Sequence, residues 1–217
     1  MLDAVASALS RKQAQPQALA ESTDVSGYTW ASGRGHFLAA PVLLLDNQRR
    51  GDSVGVHVFG VFQPEQGGAL LVDLGWLPLP GDRHLPELDL PEGEQTVAGL
   101  LTPPPSSGLA LGPAYIVPDA AQGRASVAGG TMPGATARRW LLTRIDIAAL
   151  AEGLHIQLAP RVLRLDPALP LGYTRDLDVL PNTLPPERHR GYALQWFGLA
   201  LATLILALFL GFRRRPA

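Results

Sequence analysis

Five histidines, His36, His57, His84, His155 and His189, are the side chains best placed to bind a metal or move a proton near neutral pH. Their spacing contains no H-x-H or H-x-x-H pair, so no short segment writes a metal site by itself. His189 stands in a pattern. Pro185 and Pro186 suit the first turn of a helix, and a helix beginning near Glu187 carries His189, Tyr192 and Trp196 at i, i+3 and i+7, along one stripe. At a membrane surface, a neutral imidazole beside two amphipathic rings can ligate a haem iron through one ring nitrogen while apolar neighbours face the macrocycle. The plainer alternative is an interfacial histidine hydrogen-bonded to headgroups or to the rest of the protein.

Other chemistries find little support. The 217-residue chain has no cysteine, which removes disulfides, thiolate metal sites and cysteine nucleophiles together. Met1 and Met132 are the only methionines, so the soft ligands that hold Cu(I) are missing. G-x-S-x-G, G-x-x-x-x-G-K-[ST], H-E-x-x-H and G-x-G-x-x-G do not occur, and Gly33-Arg34-Gly35 precedes a strand pattern where a nucleotide site needs a helix. A hydrolase on a membrane anchor therefore has no nucleophile motif behind it. Gly75-Trp76, between two apolar runs, reads as a strand end whose indole packs in the core, with a partner-binding edge as the alternative.

The element that must carry His189 is the most distinct feature of the chain. Residues 192–212, YALQWFGLALATLILALFLGF, contain no charge. At about 1.5 Å per residue they reach about 30 Å, the thickness of a bilayer core. The lipid bilayer is thus an expected partner. Tyr192, Trp196 and Phe197 gather at one end and Arg213, Arg214 and Arg215 at the other. Arg175, Arg188 and Arg190 precede the segment, so three arginines flank each side, and the acid-free tail favours a cytoplasmic C-terminus. No basic region followed by an apolar run opens the chain, so no signal peptide is expected. Taken literally, the chain is then tail-anchored with its bulk in the cytoplasm; alternatively, MLDAVASALSRKQA is a helical stretch, with Leu2, Val5, Ala6 and Leu9 on one stripe, continuing from a membrane helix upstream.

Between these ends lies a domain with 47% hydrophobic residues over the whole chain and a mean hydropathy of +0.12. The balance of 18 basic and 19 acidic residues leaves no cationic surplus, so nucleic acid is not an expected partner. Short apolar runs at 36–45, 53–62, 69–77, 95–101, 114–117, 139–145 and 156–165 predict strands. In SVGVHVFGVF, Val54, Val56, Val58, Gly60 and Phe62 alternate with Gly55, His57, Phe59 and Val61, a period of two with both faces largely apolar. Residues 47–52, 64–68, 77–91, 102–112 and 123–136 predict loops. One short helix is expected at 147–152, with Asp146 as its N-cap and Gly153 as its stop. The fold class is mainly β (α+β), a small sheet or barrel-like domain outside the membrane plus a C-terminal transmembrane helix. The organisation is 1–26 helical segment and linker, 27–185 domain, 186–212 membrane helix and 213–217 basic tail.

The tail PERHRGYALQWFGLALA, residues 186–202, resembles the hallmark of the Surfeit locus protein 1 family of cytochrome c oxidase assembly factors, where a histidine-containing boundary leads into YA-x-QWF-x-LA. LLDNQRRGDSVGVHVFGVF at 44–62, ALLVDLGWLP at 69–78 and RRWLLTRIDIAALAEGLHIQLAPRVLRLDP at 138–167 resemble the family's other blocks in the same order. Leu74 stands where the family usually has arginine. The family's N-terminal membrane helix has no counterpart in this sequence, so Met1 is then a displaced start or the cut edge of a longer chain. The resemblance implies a membrane-anchored factor that assists delivery or insertion of haem a into oxidase subunit I, working with the haem a synthesis machinery. It implies His189 as the iron ligand and Tyr192 and Trp196 as pocket residues. It also implies a periplasmic domain on a bacterial inner membrane with a cytoplasmic tail, or a domain in the mitochondrial intermembrane space, and the use of arginine over lysine, with Lys12 the sole lysine, points to the bacterial case. A scaffold that stabilises an oxidase intermediate without holding haem is the rival within the same family.

Overall fold

The structure is a computed structural model that describes residues 2–10, 16–19, 27–81, 85, 88–105, 112–118, 125–127, 139–177 and 186–213. The chain forms two compact units, Met1–Val179 and Leu180–Ala217. The first is mainly β. Its strands are β1 (Gln17–Ala18), β2 (Thr29–Phe37), β3 (Val42–Arg50), β4 (Ser53–Pro64), β5 (Ala69–Pro78), β6 (Glu94–Thr102), β7 (Tyr115–Pro118), β8 (Ala125–Val127), β9 (Arg139–Leu142) and β10 (Leu158–Leu165). Helix α1 (Leu2–Ser10) precedes them and α2 (Ile147–Leu154) lies between β9 and β10.

Five strands close on themselves. The order β2-β6-β10-β5-β4 is completed by antiparallel pairing of β2 with β4, Gly35 opposite Pro64 and Phe37 opposite Phe62. Closure pairs the outer strands of these five with each other, while β3, β9, β7 and β8 continue the sheet from β4 and β1 adds to β2. Every ring strand contributes to one buried cluster: Ala31 and Phe37, Val97 and Leu101, Leu163 and Leu165, Leu70, Val72 and Leu74, and Val56, Val58 and Phe62. These residues fill the barrel. The opposite face of β4 and β5, with Phe59, Val61, Ala69 and Leu71, joins Leu43, Trp140, Leu142, Leu150 and Leu154 in a second core under α2 and β9. Two cores, one on each face, explain why both phases of SVGVHVFGVF are apolar.

Helix α2 forms as the sequence predicts, and the Asp146 carboxylate accepts a hydrogen bond from the Ala149 amide at 3.2 Å. Its end differs. Gly153 lies within the helix, and the left-handed cap is His155, at φ 56° and ψ 37°. Gly153 is needed for packing: a Cβ there would run into the Tyr115 hydroxyl, because the Tyr115 ring stacks on Trp140 with centroids 4.4 Å apart.

Three strand expectations shift. The run at 36–45 is two strands, since the chain turns after Phe37 and re-enters the sheet at Val42. Much of the predicted loop at 47–52 belongs to β3, which continues to Arg50 past an irregularity at residues 45–48, where Asn47 takes φ 57°. Within the predicted loop at 123–136, Ala125–Val127 form β8 on β7. The rest of that stretch lies outside the described residues, as do residues 106–111 of the loop at 102–112. Helix α1 is formed where a helical segment was predicted, and Val5 and Ala8 are buried against Trp30 and Leu100.

Candidate functional site

The second unit is a helix, α3 (Pro186–Arg213), which begins at the proline expected in its first turn. Its span Arg190–Phe212 has a mean hydropathy of 2.1, long and apolar enough to cross a membrane, and none of it is buried. Its length and composition suit a membrane anchor. Helical periodicity puts His189, Tyr192 and Trp196 on one stripe, within about 60° of each other around the axis. Tyr192 is 50% exposed and Trp196 71% exposed. The His189 backbone belongs to the helix, and its side chain lies outside the described residues, as do Arg214 and Arg215.

The barrel domain holds a second polar constellation that the sequence reading does not single out. His57 on β4 places Nδ1 3.1 Å from a carboxylate oxygen of Asp73 on β5, and the same oxygen accepts the Gly75 amide at 2.9 Å. Asp73 is buried, and its other oxygen lies 3.9 Å from Arg164 Nε on β10, its cross-strand neighbour. Arg164 reaches Asp176, which Arg50 of β3 meets at 2.9 Å. The pairing of His57 with Asp73 depends on a bulge: β4 and β5 shift register between Val58 and Phe59, so Leu74 and Gly75 together occupy one place. Asp73 and Trp76 therefore share the outer face while Leu74 turns into the barrel core, 1% exposed. A buried apolar environment explains how the position takes leucine. The signal in the sequence was Asp73 itself, a lone charge inside the apolar run ALLVDLGWL.

The bulge also fastens the segment that follows β10. Gly75 has φ +115°, and a Cβ on it would sit 2.8 Å from the Tyr173 carbonyl oxygen and 2.9 Å from that of Thr174. The Trp76 amide donates to Thr174 O at 2.8 Å, and the Tyr173 amide to Leu74 O at 2.7 Å. The Arg175 guanidinium donates to the carbonyls of Asp166 and Tyr173. Burial lowers the Arg175 pKa, and Asp166 and Asp73 pull it back up. Trp76 packs as expected: it is 8% exposed and donates its indole N–H to Gln48 O at 2.9 Å.

Of the remaining histidines, His36 is exposed on the rim of a surface groove, His155 caps α2, and His84 lies outside the described residues. No group of three or more His, Asp or Glu suited to a metal ion occurs among the described residues. Arg161, 5% exposed on β10, donates to the carbonyls of Leu101 and Gly27, while its Nε and Nη1 have no hydrogen-bond partner among the described residues. Burial lowers its pKa.

No curated protein matches the sequence. The model of the SURF1 family matches residues 2–201, which takes in the barrel domain, the Asp73 bulge and the histidine-bearing start of α3. The chain is thus a membrane-anchored member of the SURF1 family, a family of cytochrome oxidase assembly factors and not a known class of enzymes.

Proposed function

We propose that the protein assists delivery or insertion of haem a into subunit I of haem–copper cytochrome c oxidase, receiving the cofactor from the haem a synthesis machinery. His189 is the iron ligand in this reading, and Tyr192 and Trp196 flank the macrocycle. The observation that supports it is the open aromatic stripe: two large rings, 50% and 71% exposed, at three and seven residues from a histidine at the start of a membrane helix. The donor set fits the group, since one imidazole offers a nitrogen and two aromatic faces offer flat apolar cover.

When bound, the group supplies an iron centre that accepts an imidazole nitrogen and an apolar ring system that aromatic side chains can cover. His189 has to be neutral to ligate. Tyr192 and Trp196 keep water from that nitrogen, and their polar N–H and O–H ends suit the headgroup level. The barrel domain stands in the periplasm of a bacterial inner membrane, and the arginine tail lies in the cytoplasm.

The test is genetic and spectroscopic together. Cells lacking the chain should assemble oxidase with reduced haem a per subunit I, restored by the intact protein and not by a His189→Ala variant that reaches the membrane in equal amount. Restoration to the full haem a content by that variant would remove His189 from the account.

A further inference from the structure

A groove of about 1260 Å³ opens on the barrel domain between the β2–β3 turn, the segment at residues 88–94 and the start of the chain after α2. Its floor is apolar, with Phe37, Val42, Leu90, Trp140, Leu154 and Ile156. These residues come from both cores, so the groove sits where the barrel interior and the outer core meet. Sites for small molecules typically hold about 300–1,000 Å³, and this one exceeds that range, which favours a chain segment over a small ligand.

The charge on the groove is one-sided. Glu65, Asp89, Glu92 and Glu94 line it, and no lysine or arginine does among the described residues. Arg34, outside the lining, lies 3.7 Å from Glu65 and 3.6 Å from Glu94 through exposed side chains, pairs of the kind that hold only weakly. Asp89 is engaged within the protein, whereas the Glu92 carboxylate has no ion-pair partner among the described residues. An apolar floor under an acidic rim suits an occupant with apolar anchors and positive flanks. We propose that this groove docks a basic, apolar stretch of a partner polypeptide. The inference stands apart from haem binding, since it involves no residue of α3.

The test uses the full chain in nanodiscs of phosphatidylcholine, with empty discs as background, and the labelled peptide acetyl-(Lys-Leu)4-amide as probe. Above the background, the peptide should bind by fluorescence anisotropy, and acetyl-(Glu-Leu)4-amide and acetyl-(Lys-Ser)4-amide should not. Glu92→Gln with Glu94→Gln, both exposed, should weaken binding about five- to tenfold at low salt, in line with two surface charge pairs. Raising the salt should erase that difference. Ala39→Trp, which fills the groove from an exposed lining position, should abolish binding at any salt. Equal affinity for the charge variant at low salt, equal binding of the acidic peptide, signal no greater than that of empty discs, or self-association of the chain through this face without peptide binding would each overturn the proposal.

Discussion

The Asp73 carboxylate accepts the amide proton of Gly75 at 2.9 Å across the bulge of β5, and the same oxygen faces His57 at 3.1 Å. One buried acid thus fixes the backbone irregularity that holds residues 173 and 174 and meets both His57 and Arg164. Replacing Asp73 with alanine leaves Arg164 and the Gly75 amide without this partner in a buried setting. The expected loss is about 2–4 kcal/mol of unfolding free energy. Asp73→Asn keeps an acceptor for the amide and should lose less. Urea denaturation followed by tryptophan fluorescence measures both.

Gly75 is open to a sharper test. Its φ of +115° disfavours any side chain, and the carbonyls of Tyr173 and Thr174 occupy the space a Cβ needs. Gly75→Ala should cost at least about 1–3 kcal/mol from backbone strain alone. The signature beyond lost stability is local: amides of Tyr173 and Trp76, both donors across the bulge, should exchange with deuterium faster than those of β6.

Gly153 should respond against helix propensity. An interior glycine replaced by alanine normally stabilises a helix by about 1 kcal/mol. Here the Tyr115 hydroxyl fills the site, so Gly153→Ala should lower the melting temperature. A rise in Tm would show that the stacked Tyr115–Trp140 pair yields easily.

Tyr173 predicts an alkaline limit. Burial raises its pKa above the usual value of 10.0, and Asp89 adds to the shift. A folded-state pKa above the unfolded one means that the contribution is fully present below about pH 10 and is lost as pH rises through the folded pKa. Tyr173→Phe cannot ionise, so its stability should fall less steeply in that window. Denaturation midpoints measured between pH 8 and pH 11 give the comparison.

The sequence made β4 and β5 legible because long apolar runs leave few alternatives, and α2 legible because Asp146 caps it. β2 was hidden: TWASGRGHF has small and polar residues where alternation would show, and only barrel closure against β6 and β4 makes it a strand. Gly153 misled because glycine stops helices more often than it accommodates a tyrosine. His57 and Asp73 are 16 residues apart, and a bulge sets their meeting, so no local pattern announces it. The stripe of His189, Tyr192 and Trp196 was readable because helical spacing alone defines it.

The full chain purified from cells that make haem a tests the account most directly, through its absorption spectrum. The unaltered protein should show a Soret band with haem a near one per chain. His189→Ala should lose that band, while His57→Ala and His155→Ala, altered in the barrel domain, should keep it. A His189→Ala protein with the same band and the same haem content would contradict the assignment, and a colourless unaltered protein that still co-purifies with oxidase subunits would replace it with a scaffold.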